Sequence, residues 1–140
     1  KADPETEDAL RRFGASLGLA YQLVDDALDY AGTESSLGKR VGDDFREGKV
    51  TLPVIIALGR SAGAEHEFWR RTIRDGIQKE GDFDIAREIL LRTDALEATL
   101  AHARRHTEEA LKNLGAARIA SDVFKSALAE LALSSATRGF

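Results

Sequence analysis

Cysteine is absent from the 140 residues, which excludes disulfides and thiolate chemistry. Methionine is absent too, and the chain begins at Lys1; a fragment or a processed product is the expectation for such a chain. No apolar run is long enough to cross a bilayer, and no signal-peptide pattern opens the sequence. No transmembrane segment is therefore expected, and the cytoplasm is the default location. No segment alternates as a strand does. The charge balance offers nothing to a nucleic acid: the net charge is −4, with 31% charged and 43% hydrophobic residues. What these absences leave is an all-α chain, long enough to bury a sizeable core.

One stretch stands out, Tyr21-Gln22-Leu23-Val24-Asp25-Asp26-Ala27-Leu28-Asp29-Tyr30. On a helix advancing ~100° per residue, Gln22, Asp25, Asp26 and Asp29 fall within an arc of about 100°. Phe13, Leu17, Ala20, Val24, Ala27, Leu28 and Ala31 form the opposite stripe, suited to a core. The carboxylates are thus expected to face outward together. Helix physics disfavours that arrangement in isolation. Asp25 and Asp29 are like charges at i,i+4, and Asp29 lies near the expected helix end at Gly32, where the macrodipole opposes negative charge. Clustered oxygens on a rigid face are what a hard divalent cation uses, Mg²⁺ in particular taking a few carboxylates with waters and phosphate oxygens. A solvated acidic patch satisfies the same pattern.

The rest of the chain reads as a succession of helices. Asp3-Pro4-Glu5 starts the first, with Asp3 as cap and Pro4 in the first turn. On the carboxylate side of that helix, Gly14, Ala15 and Gly18 leave room for a neighbouring helix or a ligand. Residues 33–51 are non-periodic, and a loop of that length is usually functional or disordered. It contains Gly38-Lys39 and Gly48-Lys49, a pairing suited to gripping phosphate. Thr51 is expected to cap a buried helix over 52–58, closed by Gly59 or Gly63. Helices follow over about 65–78, with Trp69 as a half-buried anchor, and over 83–91. A long helix begins at Thr93-Asp94 and ends at Gly115, with Leu96, Leu100, Ala103, Thr107, Ala110 and Leu114 as its core stripe. A last helix is expected over about 117–135, with Ile119, Val123, Ala127 and Leu131 on one face. His102 and His106 share a face but lack a third ligand nearby, which favours plain helix surface.

The run Gly18 to Tyr30, then Leu37-Gly38-Lys39-Arg40-Val41-Gly42-Asp43-Asp44, then Glu47-Gly48-Lys49-Val50-Thr51-Leu52-Pro53, resembles the second aspartate-rich region of trans-type polyprenyl diphosphate synthases. Ala95-Leu96-Glu97, the late Ala127–Ala132 stretch and Arg138 extend the likeness over nearly the whole chain. It is most similar to the long-chain octaprenyl and decaprenyl diphosphate synthases that make quinone side chains. The resemblance implies a helical isoprenoid-synthase-type bundle, a homodimer, that condenses an allylic diphosphate with isopentenyl diphosphate using Mg²⁺. It implies Asp25 as the main metal ligand, with Asp26 and Asp29 acting through water or from behind it. Lys39 and Lys49 would hold the allylic diphosphate, Gln22 would lie beside the substrates, Tyr21 would form an aromatic wall, and Arg138 would contact substrate. Asp25, Lys39 and Gln22 are the expected catalytic residues.

The family's first aspartate-rich motif and its isopentenyl-diphosphate-binding basic residues lie upstream of the second motif. Only 24 residues precede Asp25, without anything comparable. The sequence is therefore expected to be the C-terminal half of a synthase, inactive alone, with the missing N-terminal half as its partner. A non-catalytic helical partner subunit is the alternative, but such a subunit is expected to have lost carboxylates that this chain retains.

Overall fold

The computed structural model describes residues 3–32 and 41–137. It is all-α, and among the described residues there is no strand. The helices are α1 (Pro4–Ala31), α2 (Asp43–Arg46), α3 (Leu52–Arg60), α4 (Ala64–Trp69), α5 (Asp82–Arg92), α6 (Ala95–Ala116) and α7 (Asp122–Thr137). A π-helical turn, Arg70–Arg74, continues α4. No helix of the described residues is long and apolar enough to cross a membrane. The chain divides into two compact units. One takes the residues up to Val24 with those from Leu100 onward, and the other takes Asp25–Thr99.

In the first unit, α1 starts as its sequence predicts. Asp3 Oδ1 accepts the Thr6 N–H at 2.9 Å and Oδ2 the Thr6 hydroxyl at 2.9 Å, which answers a donor the helix start leaves orphaned. These bonds hold the Asp3 carboxyl below its ordinary pKa. Thr6 Oγ1 in turn accepts the main-chain N–H of Arg118 at 3.1 Å, tying the start of α1 to the chain between α6 and α7. Phe13, Ala110, Leu114 and Ala132 form the core of this unit, with Leu10, Leu17 and Leu128 packed around it. The α6 stripe is buried as expected at Ala103, Thr107, Ala110 and Leu114.

The expectation for α7 is corrected in two ways. The helix begins at Asp122 rather than near 117, because Ser121 Oγ accepts the Phe124 N–H at 3.3 Å and so defines the start. Its buried side is Ala132 and Ser135, with Leu128 and Ala129 beside them, while Val123 is 82% and Leu131 52% exposed. A helix apolar on several sides gives periodicity no single face to identify, and the small residues are the ones that let it approach Phe13 and Ala110 closely.

The second unit is organised by aromatic rings. Tyr30 meets Phe83 at 6.0 Å between centroids, Phe83 meets Phe45 at 5.9 Å, Phe45 meets Phe68 at 6.4 Å, and Phe68 meets Trp69 edge-on at 5.2 Å. Trp69 is fully buried rather than half-buried. The helix expected to reach about residue 78 gives way to the π turn and ends at Arg74. Gly76, at φ +67°, takes a backbone conformation that suits its missing side chain, and Gln78 Nε2 then reaches the carbonyls of Phe45 (2.6 Å) and Thr72 (3.2 Å). Beside it, the Arg71 guanidinium clamps Asp82 bidentately at 2.8 and 2.9 Å and also donates to the Ile77 carbonyl. Asp82 further accepts the Lys79 N–H at 2.7 Å. The carboxyl of Asp82 is accordingly held below the usual range, chiefly by Arg71. Helix α3 runs through Gly59 to Arg60 and is closed by Ser61, so neither Gly59 nor Gly63 is its stop. Thr51 precedes it as expected, but without a side-chain capping bond.

Candidate functional site

Asp25, Asp26 and Asp29 lie on the last two turns of α1, as the sequence spacing requires. They do not face outward together. Asp25 is partly exposed, whereas Asp26 is 7% and Asp29 3% exposed. The expected outward acidic face is therefore reduced to Asp25, with Gln22 and Tyr21 exposed about one turn before it in the same helix. The reason for Asp29 is the segment at 41–50, which folds back onto the end of α1. The Gly42 N–H donates to the Asp29 carbonyl at 2.8 Å, and the Asp44 N–H donates to Asp29 Oδ2 at 3.0 Å.

This turn is held at every level. Gly42 has φ +81° and ψ 18°, a left-handed conformation, and it stands at the start of α2. A Cβ on Gly42 would lie 2.6 Å from Phe83 Cε2 and would require that ring to shift, so a ring and a torsion independently favour glycine there. Phe45 is buried beneath the turn. Arg46 donates to Asp43 Oδ1 and to the Val41 carbonyl, each at 2.7 Å. The mixed charges of the segment are thus spent largely on each other.

Lys49 takes part in the same pattern. Its Nζ donates to Asp44 Oδ1 at 2.9 Å and lies 2.7 Å from Glu47 Oε2, while its main-chain N–H donates to the Asp44 carbonyl at 2.9 Å. The two carboxylates, Glu47 first and then Asp44, raise the lysine pKa, so the ammonium stays charged at any physiological pH. The side chain is half exposed, within reach of an incoming anion. Lys39 and Arg138, the other cations expected to contact substrate, lie outside the described residues, as does the Gly38-Lys39 pair.

In the sequence Asp44 is only the end of a motif run, with no role assigned to it, yet it joins Asp29 to Lys49. Tyr30 was also missed. Its ring is buried, with the Thr51 hydroxyl close to its own. Burial above all, then the nearby carboxylates of Asp29 and Asp44, push the phenol well above its ordinary pKa. The small-residue stretch of α1 is open: added Cβ atoms at Gly14 and Gly18 would meet nothing within 4 Å. His102 and His106 join no metal-binding group, and no three carboxylates or imidazoles converge on a cation position among the described residues.

The polyprenyl synthetase family model matches residues 1–90. The chain is 40% identical over 111 residues to an all-trans-nonaprenyl-diphosphate synthase of Rhodobacter capsulatus, a match covering 79% of the chain and 34% of that protein. It is 37% identical to the octaprenyl diphosphate synthase of Haemophilus influenzae, covering 96% of the chain and 40% of that enzyme. Among solved structures, it resembles a Caulobacter crescentus polyprenyl synthase complexed with calcium and isoprenyl diphosphate, with a TM-score of 0.89 and 46% identity over 99% of the chain and 42% of that structure. A decaprenyl diphosphate synthase from Rhodobacter capsulatus superposes with a TM-score of 0.88 at 38% identity, again over 99% of the chain and 42% of that structure. The chain thus spans about two fifths or less of the length of these relatives. The chain therefore belongs to the polyprenyl synthetase family.

Proposed function

We propose that these residues are the C-terminal half of a single synthase domain that builds a long-chain polyprenyl diphosphate, for quinone side chains, from an allylic diphosphate and isopentenyl diphosphate. The observation that carries this reading is the likeness of 99% of the chain, at 46% identity, to a polyprenyl synthase complexed with isoprenyl diphosphate. A cytoplasmic homodimer completes the reading, again by family resemblance.

The donor chemistry present suits Mg²⁺ as a half site. Mg²⁺ takes only one or two protein carboxylates and fills its remaining positions with waters and phosphate oxygens. The partly exposed Asp25 is the carboxylate of this chain best disposed for that role, with the buried Asp26 behind it. When bound, the ion supplies charge neutralisation for the departing diphosphate. Lys49 adds a second cation for the same leaving group. Its ammonium already sits between two carboxylates, so a diphosphate oxygen competes with or joins Asp44 and Glu47 for its protons. Gln22 presents an amide that orients a diphosphate without supplying a competing nucleophile, and Tyr21 adds an exposed ring beside it. Lys39 and Arg138 are proposed as further diphosphate contacts from the resemblance alone.

The test is incorporation of radiolabelled isopentenyl diphosphate into extractable product. The complete enzyme should extend an allylic diphosphate in the presence of Mg²⁺, and residues 1–140 alone should not. Turnover by the isolated chain overturns the half-enzyme reading, and no product from the complete protein overturns the activity. In the complete enzyme, Lys49→Ala should raise KM for the allylic diphosphate by about tenfold, the scale of one charge-assisted hydrogen bond.

A further inference from the structure

The start of α2 has a problem that its own residues do not solve. Helix starts are normally capped by Ser, Thr, Asp or Asn, whose side chain answers an orphaned main-chain N–H of the first turn. The residue in that place is Gly42, which has no side chain and makes no capping bond. A capping residue is disfavoured in its place, because its φ of +81° suits glycine and a Cβ would stand 2.6 Å from Phe83 Cε2, so that the ring would have to shift. The orphaned N–H of Asp44 is instead answered from another helix, by Asp29 Oδ2 at 3.0 Å. The same Asp29 takes the Gly42 N–H on its carbonyl at 2.8 Å. One residue at the end of α1 thus grips the turn twice, and that residue is only 3% exposed.

What the grip controls is the lysine. Asp44, held by its N–H to Asp29, holds Lys49 by both ends: its carboxylate takes the Lys49 ammonium at 2.9 Å and its carbonyl takes the Lys49 N–H at 2.9 Å. We propose that Asp29, the last carboxylate of the aspartate run, is a positioning residue that caps α2 and thereby sets Asp44 and Lys49, and that its hydrogen-bonding oxygen rather than its negative charge is what the enzyme needs. This rests on the reading of Lys49 as a diphosphate contact, and it separates Asp29 from Asp25. Asp25 would serve by its charge, and Asp29 by geometry.

Asparagine tells the two roles apart, since its amide oxygen accepts an N–H but carries no charge. In the complete enzyme, three variants are compared: Asp29→Ala, Asp29→Asn and Asp25→Asn. Without Mg²⁺ or substrate, hydrogen exchange of the Asp44 and Gly42 amides is followed, a local opening readout that needs no turnover. Asp29→Ala should speed exchange at Asp44 by about tenfold, the loss of one hydrogen bond, and raise KM for the allylic diphosphate more than it lowers kcat. Asp29→Asn should restore both the protection and the KM, with the Mg²⁺ concentration for half-maximal rate as in the parent. Asp25→Asn should leave exchange at Asp44 as in the parent and raise that Mg²⁺ concentration.

Should Asp29→Asn shift the Mg²⁺ requirement as Asp25→Asn does, Asp29 acts through charge and the proposal falls. It falls equally if Asp44 exchange in Asp29→Ala matches the parent. If Asp29→Ala does not fold, the exchange and Mg²⁺ dependence of Asp29→Asn decide alone. A silent Asp25→Asn beside a rescued Asp29→Asn supports the anchor while overturning the metal reading of Asp25.

Discussion

Gly42 and Gly18 are the same residue in opposite circumstances. Gly42 sits in a tight turn at φ +81° with an aromatic ring where its Cβ would be, while Gly18 lies in the middle of a long helix with nothing within 4 Å of that position. The first glycine is favoured by its surroundings and the second is tolerated by them. The contrast extends to the polar groups nearby. In the 41–50 turn, main-chain amides, carboxylates and cations are matched to one another bond by bond. Around Gly14 and Gly18, nothing among the described residues lies within 4 Å of an added Cβ, and Leu19 and Tyr21 are exposed just beyond. A segment of irregular backbone is thus the more tightly specified of the two. Regular helix content says little about how firmly neighbouring groups depend on it.

The comparison can be broken most severely at Gly42. Gly42→Ala must place a methyl group against Phe83 and hold alanine in a left-handed conformation. It should cost roughly 2–4 kcal/mol, from overpacking together with the torsional penalty. A lowered urea midpoint of unfolding would show this. A double-mutant cycle with Phe83→Ala should recover only the steric part, leaving the torsional cost in place. Additive losses in that cycle would mean that the ring does not dictate the glycine.

A smaller loss is expected at Asp82, which the Arg71 clamp and the Lys79 N–H hold in the neighbouring turn. Asp82→Ala should cost about 2 kcal/mol near neutral pH, the range for hydrogen bonds to charged groups. The pH dependence has a definite sign. The folded-state pKa of Asp82 is lowered relative to the unfolded chain. Its contribution is therefore complete above the unfolded value of about 4 and is lost as pH falls through the folded value. Stability curves of the parent and Asp82→Ala should run parallel at neutral pH and converge in acid. Curves that converge on going alkaline would contradict the assignment.

The smallest effect, and the one of opposite sign, belongs to the open glycines. Gly14→Ala and Gly18→Ala should each raise stability by about 0.5–1 kcal/mol, since alanine loses less backbone entropy in a helix interior and meets nothing here. Thermal unfolding of the single variants would measure it. A loss instead of a gain in the complete protein would place another element or a substrate against this face.

Much of the chain was legible because local rules sufficed. The first helix begins at its Asp3 cap and ends before Gly32, and α6 buries the stripe that its spacing indicates, because in both cases caps and one apolar face agree. The reading failed where several solutions were locally equal. Helix α7 is apolar on more than one side, and nothing within it says that Ala132 rather than Val123 faces the core. The residues after Trp69 carry ordinary helical signals, yet the π turn and Gly76 end the helix so that Gln78 can reach Phe45. At the candidate site, the spacing led to an outward face of three aspartates and did not show that Asp26 and Asp29 are buried, the latter under a segment thirteen or more residues later.

By itself, then, the sequence determined the helical class, most helix boundaries and the family of the aspartate run, since these depend on caps, periodicity and short-range order. Tertiary structure decided which of those aspartates remained accessible and which became a fastening. That choice involves Phe83, more than fifty residues from Asp29 in the chain, whose ring stands where a Cβ at the start of α2 would lie and so favours a glycine there. A glycine there cannot cap its own helix. The capping oxygen had to come from elsewhere, and only the folded chain brings Asp29 to that place.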